Sequence, residues 1–243
     1  MRMNRTVGIL RISILYLYIF TANMLASTIS IKFGVAASAF NYTDRVMVPY
    51  LDYDIDLRPY LGYDIEWVQL GKQKPLLAPY VSCFYNYKFA DRFFLRPEVG
   101  ITQKGVVFNQ YDYERIIYKV KINYLQFPLT LGYQVMNNDY LIVDLYAGGA
   151  VAIKLNAFKK VGYHNSQIQH VKLDNVHNYD FSLLFGFDVK FKLFDKYFLF
   201  DVQSFIGLID IFYPIENQIE LYQRTQKTKN AGLVLSLGYE FTR

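Results

Sequence analysis

The chain predicts an all-β fold, an eight-stranded antiparallel transmembrane barrel of the outer-membrane kind, preceded by a signal peptide. Three observations carry this. Eight segments alternate apolar and polar residues; their connections alternate long and short; and the strand count is even, which together is the plan of a barrel that crosses an outer membrane. Hydrophobic residues make up 53% of the 243 residues and aromatics 18%. Past residue 30 they never form the run of roughly 20 apolar residues that a membrane helix needs.

The first residues form a separate unit. Met1 to Arg5 is a basic start, Val7 to Leu25 is mostly apolar, and small residues follow at Ala26-Ser27. This is the pattern of a secretory signal peptide over 1–27, cut near Ala26 to Thr28, with a barrel domain over 28–243. The alternative is a retained membrane anchor. Removing the leader removes Arg2, Arg5 and Arg11 and no acidic residue, so the formal charge falls from +5 to +2. A nearly balanced mature chain offers nucleic acid no basic surface, and none is expected as a partner.

The strands are expected at Ile31–Asn41, Leu76–Phe89, Phe93–Val107, Tyr118–Val135, Tyr140–Asn156, Tyr179–Leu193, Tyr197–Ile211 and Asn230–Phe241. Their faces follow from period-two alternation. In the sixth, Phe181, Leu183, Phe185, Phe187, Val189 and Phe191 oppose Asp180, Ser182, Gly186, Asp188, Lys190 and Lys192. In the last, Leu233, Leu235, Leu237 and Tyr239 oppose Gly232, Ser236, Gly238 and Glu240. Eight strands enclose a space that side chains fill, so the polar face is read as the interior and the apolar face as lipid-facing. Charges there must pair, because losing one partner of a buried ion pair costs about 3–5 kcal/mol. The expected interior network is Arg96, Glu98, Lys121, Asp144, Asp188, Asp201 and Glu240.

The fourth strand breaks the pattern. Tyr118, Val120, Ile122 and Tyr124 are apolar at even positions, and Leu125, Phe127, Leu129, Leu131 and Tyr133 at odd ones. A β-bulge near Tyr124-Leu125 would put both sets on one face, and Pro128 should weaken the local ladder. Tyrosines near strand ends (Tyr80, Tyr85, Tyr87, Tyr133, Tyr140, Tyr197 and Tyr239) read as an interfacial girdle. The lone Cys83 permits no internal disulfide and falls on the lipid-facing side as a small hydrophobe.

The long connections are Tyr42–Pro75, Phe108–Ile117, Ala157–Asn178 and Phe212–Lys229; alternation across 59–70 in the first leaves open an extra strand or a loop element. His164, His170 and His177 share the third, at spacings that match no compact ligand set, so no metal and no cofactor is expected. No histidine lies inside any of the eight expected strands and no nucleophile motif is present. The chain is therefore read as a non-enzyme; a rim-active enzyme on lipid or peptide and a soluble lipocalin-like carrier are the alternatives.

The stretch Tyr85 to Gly105, with Ala90-Asp91-Arg92-Phe93 and Pro97-Glu98 through Lys104-Gly105, resembles the second-turn-third strand segment of the PorT-type outer-membrane β-barrel family of Bacteroidetes. Asn123 to Leu129 is similar to that family's "nYleiPl" strand, with Gln126 where Glu is usual, and Ile31 to Val35 to its opening "kfGv" strand. The resemblance implies a Gram-negative outer-membrane barrel with both termini periplasmic, monomeric, in contact with outer-membrane lipid. It implies partners among envelope or secretion-machinery proteins, since the namesake serves type IX secretion.

Overall fold

Each alternating segment forms a strand because period two is the repeat at which side chains divide between the faces of a sheet. The computed structural model describes residues 28–42, 73–110, 116–162, 169–194, 196–212 and 228–241. They form β1 (Thr28–Tyr42), β2 (Gln73–Lys88), β3 (Phe93–Gln110), β4 (Ile116–Asn137), β5 (Leu141–Gly162), β6 (Gln169–Lys172), β7 (Tyr179–Leu193), β8 (Lys196–Gly207) and β9 (Thr228–Phe241). Neighbours in the wall run β4-β3-β2-β1-β9-β8-β7-β5, and β5 pairs back with β4. That last pairing closes eight antiparallel strands into a barrel with no free edge. The short β6 stands outside the ring and pairs with the upper end of β5, Phe158 to Val161. The expected leader at 1–27, the alternating segment 59–70 and His164 lie outside the described residues.

Thr28 and Phe241 both lie at the end of the barrel that carries the short turns, since Ile29 pairs with Phe241 and Thr28 with Asn86. The outer wall is apolar: Phe33, Val35, Ile101, Leu129, Leu131, Leu145, Phe185, Leu235 and Leu237 all face out. A carrier of the lipocalin kind would turn this face inward around a ligand, and the structure turns it outward. Near the short turns the wall carries packed aromatics. Phe93 lies 5.0 Å from Tyr133, and Phe198 lies 5.7 Å from Tyr239. Tyr80, expected in that girdle, is instead 1% exposed inside the barrel.

The expected bulge in the fourth strand is corrected by the register. Alternation along β4 runs unbroken from Val120 to Gln134, so Val120, Ile122 and Tyr124 point into the lumen with Gln126, Thr130 and Gln134. The irregularity at that level belongs to β5. Asn123 pairs with Asn156 and Tyr124 with Lys154, which leaves Leu155 as the extra residue and turns Asn156 outward. Lys121, an odd position on an unbroken strand, therefore lies on the outer wall. At Pro128 the ladder is interrupted: β3 pairs with β4 at Pro97–Leu129 and again at Gly100–Gln126.

Candidate functional site

The interior is where this chain concentrates its chemistry. One rung of the sheet sets Asp144 of β5, Asp188 of β7 and Asp201 of β8 side by side, flanked by Gln134 of β4 and Ser236 of β9. Like charges directly opposite repel, so cations must reach this rung from the facing wall. Arg96 does so from β3. Its Nη2 lies 2.6 Å from Asp188 Oδ2 and 3.8 Å from Asp144 Oδ2, and its Nε donates to Asn86 Oδ1 at 2.7 Å.

The guanidinium is held among three aromatic rings, Phe84, Tyr146 and Phe94, at 4.5, 4.8 and 4.9 Å. Such cation–π contacts are worth more when desolvated. Two glycines make room for the rings. A Cβ on Gly132 would meet the Phe94 ring at 2.0 Å, and one on Gly186 would meet Tyr146 at 2.4 Å.

Lys32 of β1 bridges Glu98 at 3.2 Å and Asp201 at 3.1 Å. Lys190 of β7 bridges Asp144 and Glu240, each at 3.1 Å. Neutral donors take further carboxylate oxygens: Tyr80 donates to Glu98, Tyr146 to Asp201 Oδ1 at 2.6 Å, and Gln134 to Asp144 Oδ1 at 3.2 Å. The result is a cross-braced ionic layer that spans the lumen. A small vestibule of about 100 Å³ opens below it at the short-turn end, lined by Asn86, Lys88, Gln134 and Glu240 among others.

Above the ionic layer lies an apolar belt of Ala36, Tyr80, Ala150, Leu184, Phe205 and Val234. Higher still, Lys104 Nζ meets Asp180 Oδ2 at 2.8 Å, with Asn230 donating to the same oxygen at 3.0 Å. Then comes a second apolar cluster, in which Val120, Ile122 and Tyr124 of β4 meet Leu173, Val176 and Ile211 from the ends of the third and fourth connections. The described ends of those connections, residues 173–177 and 211–212, fold back over the long-loop mouth. Val176 and Phe212 form a bridge, and His177 N–H donates to the Ile211 carbonyl at 2.9 Å.

At Gly105 the wall is unusually tight. Its φ is +153°, a Cβ there would lie 2.0 Å from the Val120 carbonyl oxygen, and Ser38 Oγ both accepts from Gly105 N–H at 2.9 Å and donates to its carbonyl at 3.2 Å. Only glycine fits that backbone.

Six of the seven residues expected inside line the lumen: Arg96, Glu98, Asp144, Asp188, Asp201 and Glu240. Lys121 does not, because it shares the outer face with Lys119 and Lys160. Five further charges are buried outside that network, Lys32, Lys104, Lys159, Asp180 and Lys190, of which Asp180 and Lys190 already fell on the polar face of the sixth expected strand. Lys32, Asp180 and Lys190 sit between apolar neighbours in their own strands, so the alternation that placed the others also marks them, whereas Lys104, between Gln103 and Gly105, and Lys159, before Lys160, carry no such mark. His170 and His177 are exposed. On the loop side, Lys172 pairs with Asp174 at 2.9 Å, and that hydrogen bond raises the ammonium pKa above its ordinary value.

The family model described as outer membrane protein beta-barrel domain matches residues 26–213. The chain belongs to this family. It is thus an outer-membrane β-barrel protein, which agrees with the apolar outer wall and the closed ring of strands. A search of curated proteins found no match. Solved structures with a similar fold include the outer membrane protein OprG from Pseudomonas aeruginosa, at 14% identity and a TM-score of 0.48, covering 89% of this chain and 97% of that one. Another is Ail, the attachment invasion locus protein of Yersinia pestis, at 13% identity and a TM-score of 0.38, covering 88% and 99%. The N-terminal barrel domain of OprF, also from Pseudomonas aeruginosa, stands at 11% and 0.35, covering 88% and 97%. These are distant likenesses, and the barrel assignment stands on the family match and the strand pairing.

Proposed function

We propose that this family member is a sealed, non-catalytic barrel of the PorT type. On this reading it sits in the outer membrane of a Gram-negative bacterium as a monomer, exported by the signal peptide at 1–27, with the short turns and both termini periplasmic. It works through its long-connection end or as a component of an envelope or secretion assembly of the type IX kind, rather than by passing solutes. The observation that carries the reading is the lumen. An ionic layer, an apolar belt and an apolar cap follow one another along the axis, and the charges of the ionic layer pair with one another across the lumen.

The test is electrical. Purified protein in planar bilayers should give no discrete conductance steps above the protein-free baseline; steady open channels would sink the sealed-barrel reading. Co-purification after mild crosslinking in cells tests the assembly role. Recovery of an envelope protein supports it, and a barrel that always comes out alone would move the function to a loop-bound ligand.

A further inference from the structure

The outer wall carries a basic patch whose position along the barrel axis gives it a meaning. From Tyr133 up to Leu125, every outward rung of the β4–β5 pair holds apolar or small side chains: Tyr133–Leu145, Leu131–Ala147, Leu129–Gly149, Phe127–Val151 and Leu125–Ile153. Nine β4 residues are spanned, which is the roughly 9–11 residues a tilted strand uses to cross the hydrocarbon. The next rung is polar on three adjacent strands. Gln103 donates to Asn123 at 2.7 Å and Asn123 donates to Asn156 at 2.6 Å. This amide ladder marks where the apolar band stops.

Directly above it the wall turns basic. Lys121 pairs with Phe158, which pairs with Lys172 on β6. One rung higher, Lys74, Val107, Lys119, Lys160 and His170 follow one another across β2 to β6. Lys119 and Lys160 are direct cross-strand partners, an arrangement that destabilises a sheet unless something anionic lies over it. Among the described residues the one carboxylate paired into this surface is Asp174, on Lys172.

We propose that Lys119, Lys121 and Lys160, with Lys74 at the flank, bind the phosphate groups of an outer-leaflet phosphoglycolipid, clamping it against the apolar wall below. The lysines stand at headgroup height, the wall beneath accepts acyl chains, and the long lysine stems reach toward phosphate as such side chains do at an interface. The leaflet assignment rests on the proposed orientation with the short turns in the periplasm; the phosphate chemistry does not.

The experiment uses the full-length barrel in mixed micelles. Native mass spectrometry counts retained lipid with diphosphorylated lipid A or its dephosphorylated form as the probe. Wild type should retain the phosphorylated lipid at least about tenfold better, given the attraction each surface lysine contributes. The triple variant Lys119→Gln/Lys121→Gln/Lys160→Gln should lose the preference while keeping heat-modifiable gel migration, which shows that it still folds. The arginine version of the same triple should keep it. Equal retention of both lipids by wild type, or an unchanged preference in the glutamine variant, overturns the proposal. So does displacement of the lipid by about 10 mM inorganic phosphate, which would make this a free-anion site. Orientation is read separately, by labelling Lys172→Cys in a Cys83→Ser background with a membrane-impermeant thiol reagent on intact cells. Retention in micelles without labelling would overturn the outer-leaflet assignment through the orientation alone.

Discussion

Arg96 shows how much one side chain can hold together. It is 1% exposed, ion-paired to Asp188, hydrogen-bonded to Asn86 and enclosed by three rings. Arg96→Leu leaves Asp188 facing Asp144 and Asp201 with its main counter-charge gone. The expected loss is about 3–5 kcal/mol, read as a lower urea midpoint for unfolding in micelles. Replacing both partners, Arg96→Leu with Asp188→Leu, should recover most of it, because the cost is that of an abandoned charge. A double variant no more stable than the single would show that the arginine acts chiefly through its ring contacts. Gly105→Val should fail to fold at all, since neither the backbone nor the Val120 carbonyl leaves room for a side chain.

Elements differ in how independently they are held. The eight wall strands are each paired on both sides, whereas β6 pairs with β5 alone and hands the chain to the Leu173–Val176 cap. The cap should therefore open locally, without unfolding the barrel. Val176→Asp puts a charge into a site 1% exposed. Limited proteolysis between residues 163 and 178 should rise, while the global urea midpoint shifts by less than about 2 kcal/mol equivalent, because the cap can swing out instead of burying the charge. Bilayer conductance should stay at baseline, since the ionic layer near the other mouth still closes the lumen. Channel activity in this variant would mean that the cap is the seal.

For the molecule as a whole, the decisive property is that polarity is inverted relative to a water-soluble fold. Leu235 faces out at 47% exposed, beside Ser236 facing in at 2%. Leu235→Arg should cost roughly 2–4 kcal/mol in a lipid bilayer, as charges do on a barrel's lipid face near the midplane. In a water-soluble barrel the same change would cost almost nothing. Measuring the folding free energy in vesicles separates the two.

Much of this architecture can be read along the chain. Phe185 against Gly186 and Leu235 against Ser236 assign faces strand by strand, because a period of two admits only two sides. Arg96, Glu98, Asp188 and Glu240 fall on the polar one for the same reason. What alternation leaves open is which side of an all-apolar stretch is wet, greasy or packed. Val120, Ile122 and Tyr124 look identical whether they face lipid or a plug. The choice was made by Leu173, Val176 and Ile211 arriving from distant connections to cover them, and that choice sent Lys121 outward to join Lys119 and Lys160. Local sequence determines the pleat; which face meets the lumen contents depends on contacts between segments far apart in the chain, and those exist only once the barrel has closed.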